Sequence, residues 1–224
     1  AVKHEPAIKN GRVFAASADG TVLALQGSSG QKIWSQDVRE IYTEAERNHA
    51  FAKDIDVITG GVGIGDDIVL VGTAAGEVLA LRQSDGSLAW RAAVSSEVLA
   101  PPQVLNQLAV AQSIDGTLVG LDAFTGEKRW SYTTTLPALT LRGTSTPILR
   151  DDVVVAGFAN GRVALIDPER GIAAVDERVA AAKGRSDLER LIDIDGKMVY
   201  QNGRLYVASY QGRVLAIDLN AGRP

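Results

Sequence analysis

Few residues in this chain are placed to do chemistry, and the first candidates are a pair of carboxylates. In LERLIDID, residues 188–195, Asp193 and Asp195 stand two apart. On an extended strand both face one side, roughly 7 Å from each other, with Leu191, Ile192 and Ile194 as apolar neighbours. A pair so placed suits acid–base work in hydrolysis. It suits a solvated strand end equally well, and that is the commoner use. The second candidate is LPALTLRGTSTP at 136–147, where Leu136, Leu139 and Leu141 lie beside Arg142. Leucines next to an arginine anchor many protein interfaces, although the same leucines also serve to tuck a loop down.

Other catalytic signals are poor. His4 and His49 are the only histidines, and neither has a second ligand at a zinc-type spacing. The absence of cysteine excludes a thiol nucleophile, Cys-ligated zinc and a disulfide framework, and leaves the compartment open. There is no Gly-x-Ser-x-Gly elbow and no Walker loop. The run GGVGIG at 60–65 looks like a nucleotide loop at first, but it leads into Asp66-Asp67 and a strand. No helix follows whose N-terminus would hold phosphate.

The elements that must position these residues are written in a repeat. GTLVGLDAFTGEKRW, residues 116–130, sets Gly116, Gly126 and Trp130 around an alternating apolar run, and the pattern recurs with anchors Gly20, Gly76, Gly116, Gly161 and Gly212. Ten residues after each anchor stands another glycine: Gly30, Gly86, Gly126, Gly171 and Gly222. Four residues further come Trp34, Trp90 and Trp130, then Val175 in the fourth copy. Before the anchors lie turn pairs, Asn10-Gly11, Asp66-Asp67, Asn106-Gln107, Asp151-Asp152 and Asn202-Gly203, which suggest the positive φ of tight hairpins. Pro6, Pro102 and Pro147 recur fourteen residues before their anchors, where Val62 and Met198 stand in the other copies. A strand start tolerates proline there, since no ladder donor is lost.

Each copy therefore reads as four short antiparallel strands, and anchor spacings of 56, 40, 45 and 51 residues match a propeller blade with insertions. The expected fold is all-β, one propeller domain over 1–224 with about five blades, and GGVGIG is expected to be an inner strand close to its axis. Alternating Val, Leu and Ile are buried only when the next blade packs face to face. Each recurrent tryptophan would bury about 150–250 Å², worth on the order of 4–6 kcal/mol before entropy is subtracted. Two insertions break the period: 41–56, expected to hold a short helix or ordered loop, and 176–195, where Ser186 and Glu189 have capping-box spacing.

Composition agrees with a folded protein. A net charge of -4 recruits no nucleic acid. No apolar run approaches the roughly 20 residues of a spanning helix, and AVKHEPAIKN does not read as a signal sequence. The chain as given is expected to be soluble.

With GTLVGLDAFTGEKRW, ALTLRGTSTP and ERLIDID in that order, the chain resembles, over essentially its whole length, the BamB family of outer-membrane protein assembly factors. The Gly-Trp unit is shared with quinoprotein dehydrogenases, whereas the two connecting segments are more specific. The resemblance implies an eight-bladed propeller, held at the periplasmic face of the outer membrane by a lipidated N-terminal cysteine. It implies a non-enzymatic scaffold without cofactor or metal that binds a POTRA domain of BamA, the barrel-forming subunit, and helps deliver unfolded outer-membrane clients. The family's Leu-x-Leu-Arg loop falls on Leu139, Leu141 and Arg142, and its Asp-x-Asp strand end on Asp193 and Asp195. Five anchors where eight blades are expected, and no lipobox cysteine, read as an internal piece of the mature protein whose membrane contact is only through the missing anchor. A quinoprotein dehydrogenase would bring a calcium-bound quinone and usually a vicinal cysteine pair, which this chain cannot supply. A generic propeller scaffold for another partner is the remaining alternative.

Overall fold

Period-two alternation between turn residues yields short strands, and the computed structural model bears this out. It describes residues 4–48, 54–137, 140, 143–179, 194, 197–209 and 213–218. Blade 1 comprises β1 (Ala7–Lys9), β2 (Arg12–Ala16), β3 (Thr21–Gln26) and β4 (Lys32–Asp37). The first insertion holds a 3-10 turn, Val38–Ile41, and α1 (Glu44–Asn48). Blade 2 is β5 (Ile58–Ile64), β6 (Ile68–Thr73), β7 (Glu77–Arg82) and β8 (Leu88–Ala93). Blade 3 is β9 (Gln103–Leu105), β10 (Leu108–Gln112), β11 (Thr117–Asp122) and β12 (Lys128–Thr133). Blade 4 is β13 (Ile148–Leu149), β14 (Val154–Gly157), β15 (Arg162–Ile166) and β16 (Ala173–Arg178). The fifth sheet shows three strands among the described residues, β17 (Val199–Gln201), β18 (Arg204–Ser209) and β19 (Arg213–Asp218). Every sheet is an antiparallel meander in chain order.

The anchor glycines close the hairpin between the second and third strands. Gly20, Gly76, Gly116 and Gly161 have φ between 73° and 92°. Each donates its N–H to the carbonyl three residues back, a four-residue turn that needs a left-handed residue at its end. The turn pairs divide. Asn10-Gly11 and Asn202-Gly203 take positive φ throughout, and Asn106 does so alone. At Asp66-Asp67 and Asp151-Asp152 the expectation of positive φ fails. Left-handed backbone costs an ordinary residue about 1–2 kcal/mol. Those turns close without it, through Gly65 N–H to Ile68 O and Arg150 N–H to Val153 O, both 2.9 Å.

The hydrophobic core lies between the sheets. Val69, Val71, Leu79 and Leu81 of blade 2 pack on Phe14, Ala16, Val22 and Ala24 of blade 1. Their alternates Leu70, Val78 and Ala80 face Ala109, Ala111 and Val119 of blade 3. Two further clusters join blades 3 to 4 and 4 to 5. Strand alternation thus splits each inner strand between two cores, and no single blade buries its own side chains.

The tryptophans fasten one blade to the next. Trp34, Trp90 and Trp130 donate their indole N–H to the carbonyls of Gln83, Ala123 and Pro168 at 2.9, 2.9 and 2.7 Å. Each acceptor lies seven residues past the anchor of the following blade. A Cβ on that blade's second glycine, Gly86, Gly126 or Gly171, would come within 2.6, 2.6 or 2.7 Å of the tryptophan. The glycine and tryptophan of one copy therefore serve different junctions.

The first insertion is latched to blade 2. The Tyr42 hydroxyl donates to Glu77 at 2.5 Å, the Arg91 guanidinium lies 5.2 Å over the Tyr42 ring, and Arg91 pairs with Glu46. Glu46 in turn accepts the Thr43 N–H at 2.8 Å. The Arg91 hydrogen bond, then those from Thr43, hold the Glu46 carboxyl down at about 2 against an ordinary 4.5. A carboxylate depressed in the folded state contributes fully above its ordinary value and loses that contribution as pH falls through the folded one. A carboxyl NMR titration is expected to place the Glu46 midpoint near 2, rising toward 4.5 in Arg91→Ala. An unmoved midpoint in that variant removes Arg91 as the cause.

Candidate protein-binding site

Both segments singled out in the sequence join the outer strand of one blade to the inner strand of the next, from β12 to β13 and from β16 to β17. Leu139, Leu141, Arg142, Asp193 and Asp195 themselves lie outside the described residues, as do Ser186 and Glu189. Their described neighbours show how each segment is moored.

The first segment leaves β12 over the anchor turns. Asn160 Nδ2, in the turn between β14 and β15, donates to Thr134 Oγ1 and to the Thr135 carbonyl, both at 2.9 Å. Leu136 is half-buried against the core of blades 3 and 4, and a Cβ on Gly116 would lie 2.9 Å from its Cγ. Leu136 therefore tucks the segment down. At the other end Ser145 is fully buried. Its Oγ donates to the Gly157 carbonyl at 2.9 Å and accepts the Gly157 N–H at 3.0 Å.

The second segment is moored on the same residue. Ile194, between the two aspartates, is fully buried in the core of blades 4 and 5. A Cβ on Gly157 would stand 2.6 Å from Ile194 Cγ2. Gln112 adds a third element from blade 3, with Nε2 donating to the Gly157 carbonyl at 2.8 Å. Glycine at 157 leaves room for Ile194 and Ser145. Ile194 also shares a register with Ile58 and Val98, each eighteen residues before its anchor and each buried. The apolar residue within Asp-x-Asp is thus a core position of the repeat, a role its description as a mere neighbour missed.

Sequence reasoning also missed Gln112 and Ser145, although the repeat carries a signal for both. Four residues before the anchor the other copies have Ala16, Gly72, Gly157 and Ala208, where blade 3 has Gln112. Sixteen before it they have His4, Gly60, Ala100 and Gly196, where blade 4 has Ser145. Outside the blades' core, Tyr132 donates to Asp176 at 2.9 Å, and Asp176 accepts from Arg162 Nε at 2.6 Å. Burial, then the Asp176 bond, pushes the Tyr132 hydroxyl up to about 12. This triad ties β12 to blade 4 beside the Asn160 turn.

The remaining signals resolve into packing. GGVGIG forms most of β5, and added Cβ atoms on Gly60 and Gly63 would meet backbone atoms of residues 98–102. His4 Nε2 lies 3.1 Å from the Ile58 carbonyl, and His49 is outside the described residues. Among the described residues no group of three His, Cys, Asp or Glu is placed to hold a metal, and no helix is long and apolar enough to cross a membrane.

Comparison with known proteins agrees with this geometry. A relative from Pseudomonas aeruginosa named outer membrane protein assembly factor BamB is 41% identical over 98% of this chain and 53% of its own length. The Escherichia coli K12 protein of the same name is 33% identical over 97% of this chain and 54% of its own. The chain thus spans about half the length of the curated relatives it matches. The crystal structure of BamB from Moraxella catarrhalis superposes with a TM-score of 0.85 at 31% identity, over 98% of this chain and 62% of that one. A quinohemoprotein alcohol dehydrogenase from Comamonas testosteroni reaches a TM-score of 0.71 at 16% identity, over 97% of this chain and 41% of its own, a likeness of fold alone. The profile of the family described as outer membrane protein assembly factor BamB matches residues 1–52 and 29–224. With the repeat, the stacked blades and these matches in agreement, the chain belongs to the BamB family of outer membrane protein assembly factors.

Proposed function

We propose that this chain is the propeller portion of a non-enzymatic scaffold in outer-membrane β-barrel assembly, binding a periplasmic POTRA domain of the barrel-forming subunit BamA and aiding delivery of unfolded clients. It works at the periplasmic face of the outer membrane, where the family's lipid anchor holds it. Leu139 and Leu141 supply the apolar anchor, and Arg142, oriented by Asp193 or Asp195, fixes the register. The observation that carries this reading is the shared mooring: Ser145, three residues past Arg142, and Ile194, between the two aspartates, both pack on Gly157. Residues distant in sequence are thereby tethered to one point of blade 4.

An exposed ion pair contributes only about 0–1 kcal/mol, whereas a desolvated leucine or arginine at the centre of an interface costs about 2 kcal/mol or more when truncated. Titrating isolated POTRA domains against the full chain is therefore expected to show Leu139→Ala, Leu141→Ala and Arg142→Ala each binding about 30-fold more weakly. Their unfolding midpoints are expected to stay close to the parent's. Parent affinity in all three variants rules out this interface.

A further inference from the structure

We infer that Gln112 and Ser145 are positioning residues for partner binding, a buried polar mount at the junction of blades 3 and 4; this rests on the interface reading above. Both side chains are within two per cent of full burial. Both donate to one acceptor, the Gly157 carbonyl, at 2.8 and 2.9 Å. That carbonyl accepts only, so the Gln112 amide must present its nitrogen there, which fixes the side chain's orientation. At the corresponding places the other copies of the repeat carry glycine or alanine, apart from His4 in the first, and the junction of blades 2 and 3 closes with apolar contacts such as Val98 on Gly72.

Stability alone does not account for the glutamine. Gln112 Oε1 is buried at this junction without a protein partner, and such an oxygen destabilises the fold relative to an apolar filling. A polar junction that buries an unpaired amide oxygen and ends three residues from Arg142 is best explained by what it holds in place. Two bonds from Ser145 fix the C-terminal root of the first segment to β14, and Gln112 fixes the same carbonyl from blade 3. Ile194 seats the second segment on that glycine. Gly157 thereby joins Ser145 and Ile194 at one point.

The test measures POTRA affinity and thermal midpoint together in the full chain. Gln112→Leu keeps the volume and removes the amide, and Ser145→Ala removes a single oxygen. Each is expected to weaken binding roughly tenfold; the midpoint of Gln112→Leu stays equal to or above the parent's and that of Ser145→Ala falls, because the Gly157 N–H loses its acceptor, while Val98→Ala, at the apolar junction of blades 2 and 3, lowers the midpoint and leaves affinity unchanged. Parent affinity in both polar variants, with Arg142→Ala still losing binding, overturns the positioning role and leaves the interface reading intact. Parent affinity in Arg142→Ala, Leu139→Ala and Leu141→Ala as well overturns both. A lowered midpoint with unchanged affinity marks Gln112 and Ser145 as structural only. Should Gln112→Leu fail to fold, Ser145→Ala decides alone.

Discussion

Trp90→Ala is expected to lower the free energy of unfolding by about 3–5 kcal/mol, the range for emptying a large aromatic site. Trp90 is 6% exposed and fills the junction between blades 2 and 3. Its indole N–H satisfies the Ala123 carbonyl across that junction, so alanine leaves both a cavity and an orphaned acceptor. Trp90→Phe separates the two terms. Phenylalanine retains most of the ring but cannot donate, and the lost hydrogen bond to a buried acceptor accounts for about 1–3 kcal/mol. Urea titrations of the two variants measure the difference through their midpoints and slopes. A Trp90→Ala variant within 1 kcal/mol of the parent would show that the junction is held by the strand side chains alone.

The second large effect comes from the glycine beneath that ring. Gly126→Ala is expected to destabilise by about 2–4 kcal/mol, the sum of left-handed strain and overpacking. Gly126 has φ 76°, and its added Cβ would stand 2.6 Å from Trp90 Cε3. Gly30 provides the control within the same molecule. It occupies the same register of blade 1 with φ 70°, yet nothing lies within 4 Å of an added Cβ. Gly30→Ala is therefore expected to cost only the backbone term, about 1–2 kcal/mol. In the double variant Trp90→Ala/Gly126→Ala the clash vanishes and the strain remains, so the two changes sum to less than their separate effects. Equal losses at Gly30 and Gly126 would mean that backbone strain, not the tryptophan, explains the glycine.

These two effects also mark where sequence reasoning reached its limit. That Gly and Trp were packing devices followed from their recurrence, since a sheet of this size cannot bury its own faces. Which glycine met which tryptophan did not follow, because the repeat places a glycine four residues before each tryptophan in its own copy and another in the next. The contact is made across the junction, at sequence separations of 36 and 52 residues for Trp90 to Gly126 and Trp34 to Gly86. Leu136 shows the same limit on a smaller scale. Pattern alone left it between an exposed anchor and a loop tuck, and the position of Gly116 beneath it decided for the tuck.

The candidate site was legible in part. The resemblance drew attention to Leu139, Leu141, Arg142, Asp193 and Asp195 by motif, and the repeat register, read across copies, contains Ile194 as a core position and Gln112 and Ser145 as departures. Their meaning was not written there. A glutamine in one strand and a serine 33 positions later become partners only because both reach the Gly157 carbonyl.

The sequence by itself determined the all-β class, the meander of each blade and the register of its turns, because these depend on neighbours a few residues apart: period-two alternation, left-handed glycines and prolines at strand starts. Tertiary structure alone decided which blade supplies the glycine for each tryptophan, which polar side chains meet on Gly157, and that the roots of two distant segments share one mooring. Those are long-range contacts between backbones that approach closely only after the blades have stacked, and no local preference of the chain encodes such a distance.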